Sequence, residues 1–217
     1  AVLDGRSAIA GHIAGGTHHA FYDRGEGFCV FNDIAVAANV ALREHGNWLR
    51  RVLVVDLDVH QGNGTARLFA SEERVFTCSV HCEDNFFSKR EHSDLDIEVP
   101  AGEEDSAYIA TLERALPELF NEVRPQLVFF QAGVDPHASD AFGKLRITSA
   151  GLKRRNALVY AEARKADARV VVTMGGGYPR DLKPDSQPFA HVVQAHMDVY
   201  RAAAYANRQR AALPPER

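Results

Sequence analysis

The residues of this chain best equipped for chemistry fall in a few short clusters. Asp56, Asp58 and His60 alternate in Asp56-Leu57-Asp58-Val59-His60. In extended chain, alternate side chains share a face. Two neighbouring carboxylates repel and are costly to bury unless a cation neutralises them. Asp58 and His60, joined by Asp135 from Ala132-Gly133-Val134-Asp135, would make an O2N donor set with an open position. That is the pattern of a catalytic zinc site, and iron also suits it. A blander arrangement fits the same residues, with Asp58 capping a helix and His60 an ordinary polar loop residue. His18-His19 follows Gly15-Gly16-Thr17, and such a pair is either a solvated loop or the general base of a hydrolytic metal site. Gly175-Gly176-Gly177-Tyr178 permits close backbone approach, and its Tyr hydroxyl either packs in a turn or donates to a developing oxyanion. No Lys follows these glycines in phosphate-loop spacing.

Something must carry these groups to one place. Four short apolar runs stand out: Arg51–Asp56, Val75–Val80, Gln126–Gln131 and Arg169–Met174. They lack polar alternation, as parallel strands covered on both faces do. Leu95–Val99 alternates and predicts a weaker or edge strand. Helical spacing is found over Asn32–His45, Ser106–Val123, Ser149–Lys165 and Pro188–Asn207. Strands alternating with helices predict an α/β fold, three-layered, with a mainly parallel sheet between helices. Each buried run leads straight into chemically capable residues: Asp56 to Gly64, Ser79 to His81, Ala132 to Asp135 and Gly175 to Tyr178. Ligands of open α/β sheets sit outside the carboxyl ends of the strands.

Composition narrows the class. The chain has 217 residues, 25 Lys plus Arg against 29 Asp plus Glu, and a net charge of −4. This argues against direct nucleic-acid binding, and no apolar run is long enough for a membrane span. Cys29, Cys78 and Cys82 form no CxxC pair, which points to an intracellular, reducing cytoplasm. Cys78 and Cys82 flank His81 but read as small core residues. Residues 1–205 are expected to form one domain, and residues 206–217 a polar, fraying tail.

Taken together, the motifs resemble the histone deacetylase family, on the arginase/deacetylase fold. The resemblance rests on Gly15–Ala38 (GGTHHAFYDRGEGFCVFNDIAVAA), Val52–Thr65 (VLVVDLDVHQGNGT), Ser79–His81, Ala132–Thr148 (AGVDPHASDAFGKLRIT) and Gly175–Tyr178. It covers residues 11–183 in the family's order, and DRGEGFC and HQGNG look most like class IV and its bacterial relatives. The resemblance implies zinc ligands at Asp58, His60 and Asp135 and tandem catalytic histidines at His18 and His19. It implies that Asp56 orients His18 and that Tyr178 hydrogen-bonds the substrate carbonyl. Gly27, Phe28, Phe87 and Gly176 would bind substrate along the acyl channel. A monovalent cation, usually potassium, would sit at Asp56, Asp58, His60, Ser79 and Val80, with a second near residues 69–75. Asn63 stands where class I members carry an orienting Asp, and Gln61 where they carry His. Asn63 can accept from His19 but brings no charge, so a lower pKa is expected for His19. Asn63→Asp should then move the acid limb of the pH–rate profile upward.

The implied activity is zinc-dependent removal of an acyl group from an acylated lysine, peptide-borne or protein-borne, or from a related amine. Two-metal readings, a phosphoesterase or a ureohydrolase, want further ligands, and Gln61 and Asn63 stand where a ureohydrolase would carry a carboxylate. A non-catalytic homologue that only binds acyl-amines is a third reading. Family domains are longer, and their sheet is larger than the about five or six strands these runs supply. The chain opens on Ala1, not Met. An N-terminal segment with further strands is therefore expected to be absent, leaving an uncovered apolar sheet edge or face.

Overall fold

The computed structural model describes residues 1–211. Eleven elements follow in the order β1 (Ile9–His12), α1 (Asp33–His45), β2 (Val52–Asp56), α2 (Asn63–Phe69), β3 (Val75–Cys82), β4 (Leu95–Val99), α3 (Asp105–Val123), β5 (Leu127–Gln131), α4 (Ser149–Lys165), β6 (Arg169–Thr173) and α5 (Gln187–Ala211). The strands pair in the order β1-β6-β5-β2-β3-β4, and every pairing is parallel.

The four apolar runs are the four inner strands, for the reason that made them legible. Successive side chains of a strand point to opposite faces. Leu53 and Val55 of β2, Val128 and Phe130 of β5 and Val170 and Val172 of β6 join one core with α3, α4 and α5. Val52 and Val54, Leu127 and Phe129 join the other, with α1, Leu49 and Phe69. Both faces are dry, so no polar alternation survives. Truncating the fully buried Phe130 to Ala would cost about 3–5 kcal/mol.

Three elements differ from expectation. β1 carries Gly11 and His12 on an exposed edge, so it lacks an apolar signature. α2 begins in Gly62-Asn63-Gly64, which reads as a turn. α5 continues through residues 206–211, which the sequence assigns to the tail. Ala206 packs against the larger core, and the Arg210 guanidinium donates to the Ala168 carbonyl at 2.6 Å. The rest of that tail, residues 212–217, lies outside the described residues. Phe31 and Val36 are exposed beside a groove of about 630 Å³ on the outer side of α1. The inner side of α1 packs over the sheet.

Candidate active site

The polar residues after β2, β5 and β6 meet beyond the carboxyl edge of the sheet. Ligand atoms of Asp58, His60 and Asp135 lie within 4.8 Å of one another, and all three residues are buried. No other such group of His, Cys, Asp and Glu occurs among the described residues. Asp58 Oδ2 accepts from Gln131 Nε2 at 3.1 Å and from the Gly176 N–H at 2.8 Å. Asp135 Oδ1 accepts from the Val59 N–H at 2.9 Å. Asp135 Oδ2 is buried without a hydrogen bond and lies 3.3 Å from His60 Nδ1. Burial and the Asp58 charge push the Asp135 carboxyl up to about 8. Burial disfavours a charged His60, but Asp135 and Asp58 outweigh it and raise His60 to about 10. This is a donor set that demands positive charge. One orphaned carboxylate oxygen, a second carboxylate and an imidazole fit a divalent cation such as zinc.

The support behind these ligands was not visible in the sequence. Arg155 of α4 is fully buried and donates to the carbonyls of Leu57 at 3.1 Å and Gly133 at 2.6 Å. Leu57 directly precedes Asp58 and Gly133 lies two residues before Asp135, so one guanidinium ties both strand ends. Asp140 receives the Phe142 and Gly143 N–H groups on one oxygen and the Tyr178 N–H, at 2.6 Å, on the other. The contacts of Gln131 with Asp58, of Arg155 with Leu57 and Gly133 and of Asp140 with Tyr178 span 22 to 98 residues, so no local spacing announces them.

The two histidines are strapped in place by both helices of the smaller core. Asp33, in the first turn of α1, accepts from the N–H groups of Gly16 and Thr17. Thr65 of α2 donates its N–H to the His18 carbonyl at 3.0 Å. The rings lie 4.0 Å apart between centroids, but their partners differ. His18 Nδ1 lies 2.6 Å from Asp56 Oδ2. Burial opposes a charge on His18, yet Asp56 and Asp58 prevail and raise it to about 9. His19 Nδ1 lies 2.8 Å from Asn63 Oδ1. Burial and the neighbouring His18 charge lower His19 to about 3, against the smaller raising effect of the Asn63 hydrogen bond. The two surroundings thus push the rings in opposite directions, His18 toward the charged form and His19 toward the neutral one.

His19, His60 and Tyr178 share a cavity of about 640 Å³ with Gly27, Phe28 and Phe87. Asn85, Phe86 and Phe142 also line it, with Asp84, Ala141 and Lys144, and were not foreseen. Phe87 stands edge-on to His19 at 4.9 Å. Gly27 has a φ of 53°, and a Cβ there would lie 2.5 Å from His19 Cδ2, so only glycine lets this loop close on the ring. Burial and the Asp58 charge raise the Tyr178 hydroxyl, which therefore stays a donor. Gly176 is placed differently from expectation. It backs the carboxylates, where a Cβ would lie 2.1 Å from Asp135 Oδ2, and it is not among the residues lining the cavity. His81 also stays out of the cavity. It lies buried within β3, with Nδ1 3.0 Å from Ser79 Oγ. The register of β2 on β3 sets Ser79 beside Asp56.

Residues 1–194 match the family model described as histone deacetylase domain. An uncharacterized protein of Picosynechococcus sp. is 44% identical over 88% of this chain and 63% of its own length. Histone deacetylase 2 of Arabidopsis thaliana is 32% identical over 77% of this chain and 43% of its own. The histone deacetylase-like amidohydrolase of Pseudomonas aeruginosa is 31% identical, over 77% of this chain and 47% of its own. The chain thus spans roughly half the length of these relatives. With the motifs in order, the strand ends converging on Asp58, His60 and Asp135, and the domain match over most of its length, this chain belongs to the histone deacetylase domain family.

Proposed function

We propose that this protein hydrolyses the amide of an acylated amine, with an N-ε-acyl-lysine as the substrate class and zinc held by Asp58, His60 and Asp135. The observation that carries the reading is the shared cavity. It brings the His19 imidazole, the Tyr178 phenol and His60 to one floor, with Asp58 and Asp135 grouped around His60. Zinc, when bound, supplies Lewis-acid polarisation of the carbonyl and a lowered water pKa.

The chain's own residues do the remainder. His19 accepts a proton from the attacking water as the carbon–oxygen bond forms. It returns a proton to the amine nitrogen as the carbon–nitrogen bond breaks. His18, held as a cation by Asp56, contributes positive potential beside the developing negative charge. The Tyr178 O–H donates to the oxyanion, a contribution of about 2.7–4 kcal/mol for one such donor. Gly27, Phe28 and Phe87 give an apolar sleeve suited to an acyl chain and a lysine stem. Potassium belongs to the same proposal, beside Asp56, Asp58 and the His60 backbone, with Ser79 and the Val80 carbonyl on the next strand.

The test is hydrolysis of fluorogenic lysine peptides carrying acetyl, octanoyl or myristoyl groups by zinc-loaded protein. Turnover of at least one, abolished by a hydroxamate, is the expected result. Bound zinc without turnover of any would reject the reading in favour of a binding role.

A further inference from the structure

His18 and His19 are served by different chemistry. The partner of His18 is a carboxylate, which only accepts. The partner of His19 is the Asn63 carboxamide, which has one accepting end and one donating end. Whichever end faces the ring decides which ring nitrogen carries the proton. The surroundings of Asn63 settle that orientation. Its Nδ2 donates to Glu26 Oε1 at 2.9 Å and faces the Lys89 carbonyl at 3.4 Å. Neither a carboxylate nor a carbonyl can donate, so the amide nitrogen must face them. Its Oδ1 accepts from the Gly64 N–H at 3.0 Å and is left to face His19 Nδ1. Nδ1 therefore carries the proton, and Nε2 keeps its lone pair.

Glu26 is itself held. Its backbone pairs with Cys29 in both directions, at 3.0 and 2.8 Å. Its second oxygen lies 3.5 Å from Arg24 Nε, and the Arg24 guanidinium sits 3.7 Å over the Phe21 ring. Its side chain is 17% exposed. The same short loop carries Gly27 and Phe28, so substrate wall and base orientation are set together.

We propose that Glu26 is a positioning residue for hydrolysis: through Asn63 it fixes the tautomer of His19 that leaves Nε2 free to accept a proton. The proposal rests on His19 being the base, as in the function proposed above. It assigns the charge that Asn63 lacks to a residue one hydrogen bond further out.

The experiment has two readouts. Two-bond proton–nitrogen correlation spectra of 15N-histidine-labelled, zinc-loaded protein report the tautomer without turnover. Steady-state kinetics on the best acyl-lysine peptide report its consequence. Wild-type protein should show His19 as the Nδ1–H tautomer. Glu26→Ala should mix the tautomers and lower kcat about 10- to 100-fold with little change in KM. Glu26→Gln retains an accepting oxygen and should fall between, which also guards against a folding defect. In an Asn63→Asp background no donating end exists to misplace. There Glu26→Ala should cost no more than about twofold, or raise activity by removing repulsion. An unchanged tautomer in Glu26→Ala, or equal losses in both backgrounds, would overturn the proposal. Absence of wild-type hydrolysis would count against the proposed function alone, because the tautomer still reports on Glu26.

Discussion

At the floor of the cavity the carboxylates and imidazoles are buried and gripped by backbone and side-chain donors, whereas at its mouth Phe28, Phe87 and Phe142 are each more than half exposed. Asp58 is fixed by Gln131 and Gly176, Asp135 by Val59, and Tyr178 through Asp140. The aromatic rings touch mainly one another and His19: Phe142 lies 4.9 Å from Tyr178, and Phe86 4.9 Å from Phe87. The floor has its geometry before any substrate arrives, so its groups cost no reorganisation during reaction. The mouth offers apolar area without fixed polar partners, so it selects by size and can adjust. Under the proposed function, reaction type and substrate choice are lodged in different parts of one cavity.

This contrast can be broken most sharply at the floor. His19→Ala and Tyr178→Phe should each lower kcat by about 100-fold or more while zinc stays bound and the melting temperature barely moves. Either variant retaining full activity would remove that residue from the chemistry. Asp135→Asn keeps an oxygen for the Val59 N–H but removes the charge, and metal analysis after dialysis should find zinc lost. Behind the ligands, Gln131→Ala should weaken zinc affinity or activity by about 10- to 100-fold, the usual range for outer partners of metal ligands. At the mouth the effects should be smaller and of another kind. Phe28→Ala or Phe87→Ala should raise KM severalfold for long acyl chains, with kcat and zinc content near wild type. A kcat collapse there would erase the division between floor and mouth.

The smallest effect lies in pH dependence. His196 of α5 is buried beside Gly177, and burial, aided by the Arg155 charge, lowers it to about 4. The unfolded chain takes up that proton near the ordinary histidine value and the folded protein does not. Stability conferred by the neutral ring is therefore full above about pH 6.5 and is lost as pH falls toward 4, at up to about 1.4 kcal/mol per unit. His196→Gln should flatten the decline of melting temperature over that window. An unchanged slope would assign the acid sensitivity to other buried histidines shifted in the same direction, His19 and His81.

The floor was also the part most legible in the sequence. Asp58 and His60 sit two residues apart directly after an apolar run, and His18 and His19 are adjacent. The inner strands declare themselves because both faces are dry. β1 does not, since its Gly11 and His12 face the open edge. The mouth was half legible: Phe28 and Phe87 could be placed by motif, but Phe86 and Phe142 depend on how two loops fold over each other. Gln131 and Glu26 were hidden for a different reason. Gln131 is 73 residues from Asp58 and Glu26 is 37 from Asn63, so only the parallel register and the return of the first loop bring them together.

Arg155 has a kinetic corollary. Its single guanidinium grips the Leu57 and Gly133 carbonyls from within α4, so neither ligand-bearing turn can open far while that helix stays docked. α4 also packs against α3 and α5. The two turns therefore belong to the slowest-opening part of the protein rather than to its fraying loops. The residence time of a bound ion is then governed by rare collective openings of the helical layer. Amide exchange in α4 and metal exchange at the cavity floor should share one clock.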